Sequence, residues 1–351
     1  MRFALLNDTH CGIRNSSDIF IKYQEQFYND VFFPHLLEND IKHIVHLGDY
    51  YEHRRFVNFK ALNSNRKVFL DKLREHGITM DIIPGNHDVY YKNTNDLCSL
   101  NELLGHYMNE VNIIMDPKVV ALDGLKFAFV PWITADNHDQ IMGFLAQCEA
   151  DVVGGHFELN GFDMYRGIAC FEGMDRDILK RFDMVLSGHF HTKSQQGNIQ
   201  YLGSQMEFFW NDEGDDKFFH VLDTQTKELT AVPNPITIYQ KVEYHDEDED
   251  NYDYSGFGEK FVKVVVKKKT NPIAFDRFLD RIQDAEPYEL KVIENMDGFF
   301  GDHVSDESVD VADTSTLIST YVDAVNTDLD KNRIKMQLND LMEEAQVVEL
   351  N

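Results

Sequence analysis

The chain has few cysteines, and no two of the four (Cys11, Cys98, Cys148 and Cys170) lie close together. That excludes a zinc ribbon or a disulfide framework and fits a reducing, cytoplasmic compartment. No apolar run approaches the roughly 18 residues of a membrane span, and the opening MRFALLND reads as a strand rather than a signal peptide. Internal repeats and long low-complexity tracts are also missing. Positive charge is scarce: 33 Lys and Arg stand against 61 Asp and Glu, for a net charge of −28. Such a balance argues against broad, passive nucleic-acid binding, which relies on basic side chains neutralising phosphates.

What is present is enough apolar sequence, 43% of 351 residues, for one large domain and a smaller one. Short apolar strands recur, and each ends in a polar cluster. RFALLN runs into DTH, KHIVHL into GDY, TMDIIP into GNHD, DVVGG into HF, and DMVLSG into HFH. Helical segments lie between several of them, including 60–75, with apolar Leu62, Val68, Phe69 and Leu73, and 96–108. Alternating strands and helices imply an α/β layered domain, in which ligand groups collect beyond the strand ends.

One chemistry recurs at those ends: Asp and His, with one Asn. Taken singly, Asp8-x-His10 is a weak metal signal, Gly48-Asp49 an ordinary strand-to-turn junction, and Gly85-Asn86-His87-Asp88 a polar turn able to cap a helix. His156 alone reads as a satisfied histidine. Gly188-His189-Phe190-His191 is stronger, because residues at alternate positions of a strand point the same way. All five in order, each after a strand, leave a purely structural reading little room.

This ordered set resembles the calcineurin-like metallophosphoesterase superfamily over roughly residues 1–225. Asp88 and the overall layout resemble its SbcD-type DNA repair nucleases, and the length, acidic composition and C-terminal tail are nearest to their T-even-like phage members. The resemblance implies a sandwich of two mixed β-sheets flanked by helices, a small α+β capping domain and C-terminal helices. It implies two divalent metal ions, manganese foremost, with magnesium or iron as substitutes. Mixed nitrogen and oxygen donors suit such ions better than a thiolate zinc site does, and a pair of them supports phosphodiester hydrolysis. Asp8, His10, Asp49 and His191 are expected to hold the first ion. Asp49, Asn86, His156 and His189 are expected to hold the second, with Asp49 bridging. His87 is expected to be the general acid or transition-state stabiliser, and Asp88 to orient its ring. The pattern departs from related nucleases at one point. Their histidine three residues after the bridging Asp is replaced by Glu52, with His53 following it.

Charge is uneven along the chain. Residues 51–80 hold seven basic residues against three acidic ones. Arg54, Arg55, Arg66 and Lys67, with His53, are therefore candidate DNA contacts, although a solvated helix face is the plainer alternative. Residues 232–300 read as the β-α-β capping domain, the acidic run 301–313 as a linker, and 314–351 as two short amphipathic helices. These helices either fold back on the nuclease core or dock on another protein; the resemblance implies docking on the coiled coil of an SMC-like ATPase, two copies forming a homodimer within a heterotetramer. Location would be cytoplasmic, in the host cytoplasm for a phage-encoded chain, with no membrane partner. The expected activity is that of a DNA exonuclease or endonuclease in recombination and repair. A phosphatase or small-molecule phosphodiesterase of the same superfamily, or a scaffold subunit with a vestigial site, are the alternatives. The former is disfavoured by Asp88, where protein phosphatases carry Glu. The latter is disfavoured by the complete ligand set.

Overall fold

Alternation along Arg2–Leu6 (β1) sends Phe3 and Leu5 to one face and Ala4 and Leu6 to the other, and all four are buried. A strand buried on both faces needs cover on both, and that requirement sets the layers. β1 lies in a six-stranded sheet with His43–His46 (β2), Thr79–Ile82 (β3) and Val111–Ile113 (β4). A second six-stranded sheet takes Lys118–Leu122 (β5), Leu125–Val130 (β6), Val152–Gly155 (β7), Met184–Ser187 (β10), Ser194–Gln196 (β11) and Ile199–Tyr201 (β12). A two-stranded ribbon, Asp163–Tyr165 (β8) and Ile168–Ala169 (β9), separates β7 from β10. Lys217–Asp223 (β13) and Leu229–Asn234 (β14) then return to the first sheet, antiparallel beside β1. Both large sheets are thus mixed, parallel in the middle and antiparallel at an edge.

This computed structural model describes residues 1–165, 168–171, 173–246, 252–294, 322 and 330–338. The chain divides into two compact units, Met1–Ile238 and Tyr239–Asn351. In the first, the sheets share one core: Phe3, Leu5, Val45, Leu47 and Ile83 from one side pack with Phe127, Phe129, Val152 and Leu186 from the other. The outer face of the second sheet is covered by His138–Gln147 through Ile141 and Leu145. Aromatic side chains dominate the outer layer of the first sheet. Phe32 of the helical segment 18–38 and Phe69 of segment 59–76 stack at 6.2 Å, and Phe32 meets Phe219 of β13 edge-on at 5.0 Å. Both segments contain a π-helical stretch, Phe27–Phe32 and Arg66–Leu70. The helix expected over 96–108 is shorter, Ser99–Leu103, followed by a 3-10 turn starting at Gly105.

The second unit holds a parallel three-stranded sheet of Tyr239–His245 (β15), Phe261–Lys268 (β16) and Glu289–Glu294 (β17). Its helix, Pro272–Asp284, starts where the Asn271 side chain accepts from the Ala274 amide. Phe275, Phe278 and Ile282 then fall on one face and pack with Val262 and Val264. The expected boundary at residue 232 is corrected: Val232 pairs with Phe219 inside the first sheet, so β14 closes the first unit. The acidic segment 301–313 and most of 314–351 lie outside the described residues, apart from Val322 and a helical stretch over 331–338 that carries Ile334 and Leu338. No helix among the described residues is long and apolar enough to cross a membrane.

Phe278 is fully buried in this second core. Phe278→Ala should destabilise the unit by about 3–5 kcal/mol, seen as a lowered urea midpoint. An unchanged midpoint would mean that the helix does not hold the sheet together.

Candidate metal centre

The parallel strands end level. Leu6 pairs with His46 and His46 with Ile82 in the first sheet; Ser187 pairs with Gly155 and Gly155 with Val130 in the second. The loops that follow therefore open along the same ends of the parallel strands. They carry Asp8 and His10 after β1, Asp49 after β2, Asn86 and His87 after β3, His156 after β7, and His189 and His191 after β10. Asp8, His10, Asp49 and His189 all have positive φ, at 48°, 43°, 55° and 86°. Non-glycine residues rarely adopt this region, at about 1–3 kcal/mol each, and do so where function demands it.

The glycines before the ligands are required by closeness. A Cβ on Gly85 would lie 2.1 Å from an Asp49 carboxylate oxygen, and one on Gly48 would lie 2.7 Å from His156 Nδ1. Gly48 also has a φ of 91°. The two motif loops are thus pressed backbone against carboxylate, and no larger residue fits between them.

Three groups of donor atoms result: Asp8, His10 and His191; His10, Asp49 and His87; and Asp49, His156 and His189. Asp49 belongs to two of them. His10 Nε2 lies 3.2 Å from His191 Nε2, 3.8 Å from Asp8 Oδ1 and 3.9 Å from Asp49 Oδ2. His156 Nε2 lies 3.2 Å from Asp49 Oδ2 and 3.1 Å from Asn86 Oδ1. All seven side chains expected to be ligands are therefore brought together.

Proton bookkeeping tests whether a cation fits. His156 Nδ1 lies 2.8 Å from the Leu47 carbonyl, which can only accept, so this nitrogen carries the proton. Its Nε2 then presents a lone pair to two oxygens that are themselves acceptors. Burial disfavours charge on His156, yet the Asp49 carboxylate outweighs it and raises the group to about 9. A positive charge is wanted at that point. His10 is likewise raised to about 9, against burial, chiefly by Glu52. His189 and His191 go the other way: burial and neighbouring imidazoles hold both neutral, His189 at about 3, leaving lone pairs free to coordinate. The Asp49 carboxyl is held well below the usual range; burial opposes this, and His156 and His87 override it. Buried carboxylates, imidazole nitrogens and an amide oxygen, with no thiol among them, form a donor set for a hard or borderline divalent ion.

Several surrounding residues hold this set in place. Asp8 accepts from the Asn7 amide at 2.6 Å and from the His189 backbone N–H at 3.0 Å. Gln24 donates to the Thr9 carbonyl, and Gln205 to the Asp8 carbonyl. Lys217 and Asp212 form a buried ion pair at 2.7 Å; the lysine also donates to the His191 carbonyl, while Asp212 accepts from the amides of Phe208 and Phe209. Trp132, two residues beyond β6, brings its ring to 5.8 Å from His156 and 5.5 Å from His189. Phe208 lies 5.5 Å from both His10 and His191. None of these stands out in the sequence except Trp132, which follows a strand end as the ligands do.

The His87 ring is placed by a group other than the expected one. Its backbone N–H donates to Asp49 Oδ1 at 2.8 Å, and its Nδ1 lies 2.6 Å from the Glu52 carbonyl. Asp88 does not orient this ring. Its carboxylate accepts from the amides of Gly85, Tyr50 and Tyr51, riveting one motif loop to the other. Burial and the Asp49 charge raise it to about 6 against those hydrogen bonds. Glu52 also has a role of its own: its carboxylate sits 2.6 Å from His10 Nδ1, an ion-pair contact without hydrogen-bond alignment. The carboxylate thus holds the far side of an imidazole that belongs to two of the three donor groups. His53 stacks on Phe56 at 4.4 Å, with its Nε2 buried and unpartnered. Arg54 is half-buried and Arg55 exposed in the same loop. Arg66, half-buried near Tyr51, and exposed Lys67 lie on the following helical segment.

Glu52→Gln should lower affinity for Mn²⁺ about 10–100-fold without loss of fold, measured by titration calorimetry and circular dichroism. Wild-type affinity would remove Glu52 from the coordination scheme.

The calcineurin-like phosphoesterase family model matches residues 1–193. Exonuclease subunit 1 of Enterobacteria phage T4 is 30% identical over 348 residues, which cover 98% of this chain and 99% of that protein. A solved structure of a novel archaeal phosphodiesterase aligns with 67% of this chain and 100% of its own, at 17% identity and a TM-score of 0.33, too loose a likeness to argue from. The motif order, its place at the strand ends of both sheets and the extent of the family and phage matches together make the chain a member of the calcineurin-like phosphoesterase family.

Proposed function

We propose that the chain is a DNA nuclease that hydrolyses phosphodiester bonds with two divalent ions, manganese foremost, and that it works as the nuclease subunit of a nuclease–ATPase complex. The observation that carries this reading is the near full-length similarity to a phage exonuclease subunit, joined to a buried donor set that calls for cations. In this reading Asp8, His10, Asp49 and His191 hold one ion, and Asp49, Asn86, His156 and His189 the other. Bound there, divalent ions supply Lewis-acid charge to the phosphoryl oxygens and acidify water.

The protein's own groups do the rest. His87, partly exposed, is fixed by its Nδ1 contact to Glu52 and its amide bond to Asp49, which leaves Nε2 to pass a proton to the leaving oxygen. Such a role is worth about 10²–10⁴-fold in rate. The strained loops hold the donors in position before substrate arrives, so little reorganisation is needed. The buried Lys217–Asp212 pair and the ring of Phe208 keep His191 from turning away.

His87→Ala should retain the wild-type metal content and lose about 10²–10⁴-fold in kcat on linear DNA and on bis-p-nitrophenyl phosphate. Asp49→Asn should lose metal as well as activity. Metal analysis beside a Mn²⁺- or EDTA-supplemented assay reads both. Full cleavage by His87→Ala, or cleavage in EDTA, overturns the mechanism.

The same reading assigns capping to the second unit, contact with DNA to the 54–67 basic group, and partner binding to residues 314–351. The partner is an SMC-like coiled-coil ATPase gripped by apolar helix faces, in a heterotetramer built on two nuclease chains in the cytoplasm. The described stretch 331–338 supports this, because Ile334 and Leu338 recur at helical spacing. Deleting 314–351 should abolish co-purification with the ATPase and spare Mn²⁺-dependent cleavage of short single strands. Undiminished ATPase binding by the deletion would locate the docking site elsewhere.

A further inference from the structure

Two loops leave the centre from adjoining points, tied together at their roots by the Asp88 carboxylate and by the His87–Glu52 contact. The first contains HRRFVNFK (53–60) and the second VYYKN (89–93). Both interleave aromatic and cationic residues in a chain otherwise poor in cations, and both expose their aromatics. Phe56 is 51% exposed, Phe59 86%, Tyr90 39% and Tyr91 47%; Phe59 is the most exposed large apolar side chain among the described residues.

Local structure uses these rings little: Phe56 stacks on His53, and Tyr90 meets Tyr91 edge-on at 4.8 Å. Phe59 opens a helix whose amides are already capped by Asn58, which accepts from Lys60 and Ala61, so any residue would serve there. The second loop is set by its backbone: the Tyr90 amide donates to the Leu97 carbonyl at 2.9 Å, and Asn95 donates to the Trp132 carbonyl at 2.8 Å. Phe56 already lies parallel to a π-system, stacked on His53 at an interplanar angle of 24°. The cations narrow the occupant. Arg55 is exposed, and Lys60, although paired with Asp18, remains at the surface. Flat apolar faces among positive charges match unstacked bases on a phosphate backbone. An intact duplex hides all but its terminal base faces in the stack, so four exposed rings call for unpaired bases.

We propose that Phe56, Phe59, Tyr90 and Tyr91 form a stacking platform that takes unpaired nucleotides of the strand entering the centre, so that the chain selects frayed or single-stranded DNA. The proposal rests on the nuclease reading and specifies its substrate.

The test uses the full chain and a single-stranded oligodeoxynucleotide carrying 2-aminopurine near one end, beside the blunt duplex of the same sequence, with Ca²⁺ in place of Mn²⁺ to slow cleavage. The wild-type chain should bind the single strand more tightly than the duplex and change the 2-aminopurine emission. Phe59→Ala and Tyr91→Ala should each weaken that binding about tenfold and leave Mn²⁺-dependent hydrolysis of bis-p-nitrophenyl phosphate, too small to reach the loops, at the wild-type rate. Phe59→Trp should restore binding and Phe59→Leu should not, since only the former keeps a ring. Unchanged binding and emission in both alanine variants, or full rescue by Phe59→Leu, overturns the platform. A wild-type chain that binds and stacks the strand but hydrolyses neither DNA nor the small ester in Mn²⁺ overturns the nuclease reading and leaves the platform standing.

Discussion

The arrangement turns on one constraint: Asp8 and Asp49 are almost wholly buried within one cluster of side chains and cannot rely on water. Each buried ion costs several kcal/mol unless its field is met by partners. The chain supplies some of these, with N–H donors from His189 and Asn7 on Asp8 and from His87 on Asp49. That leaves further lone pairs aimed at one another, so the set is complete only with cations. His10 and His156 are raised because Glu52 and Asp49 outweigh burial, whereas His189 and His191 are lowered first by burial and then by neighbouring positive charge.

Meeting that constraint explains the architecture. No single loop can bring five histidines, two carboxylates and an amide to one point, so the donors come from both sheets, and His10 meets His191 across 181 positions of chain. The shared core of the sandwich fixes the separation of the two rows of strand ends. Level registers within each sheet fix their height. Left-handed backbone at four ligands and absent Cβ atoms at Gly48 and Gly85 allow the final approach. A misplaced layer would open the centre, so stability of the core and geometry of the site are the same property viewed at two distances.

The ligand motifs were legible because each is local: a strand pattern, a glycine and a polar cluster within a few residues. Alternating strands and helices gave the layered class for the same reason. The supporting residues were not legible. Gln24, Gln205, Lys217 and Asp212 look like ordinary surface polar residues until the fold buries them, and Trp132 and Phe208 look like core aromatics. Asp88 shows the limit of reasoning by adjacency. It neighbours His87 in sequence, but a carboxylate surrounded by three unpaired amides satisfies those first, and the imidazole finds a carbonyl instead. Glu52 shows the converse. Read as the loss of a histidine, it turns out to gain a contact with a different histidine, whose place in space the sequence does not reveal. The 232 boundary falls inside β14 because that strand pairs with β13 of the first unit, and a strand's partner is not written in its own pattern.

The composition of the donor set also reconciles an acidic chain with an anionic substrate. Only two of the seven expected ligands, Asp8 and Asp49, carry negative charge; the others are imidazoles and an amide. A set of carboxylates would cancel the charge of two divalent ions and offer a phosphate nothing. This set, on the two-ion reading, leaves a surplus of positive charge at the point where the phosphoryl group must sit. Acidic stretches elsewhere act weakly at that point, since each surface charge is screened within about 8–10 Å at physiological ionic strength. The burial of the ligands works the other way, keeping the field of the centre unscreened and strong at short range. The net charge of −28 therefore opposes indiscriminate coating by nucleic acid and does little against a strand already delivered to the centre. In this arrangement selectivity lies in what reaches the strand ends, and chemistry in the charge that waits there.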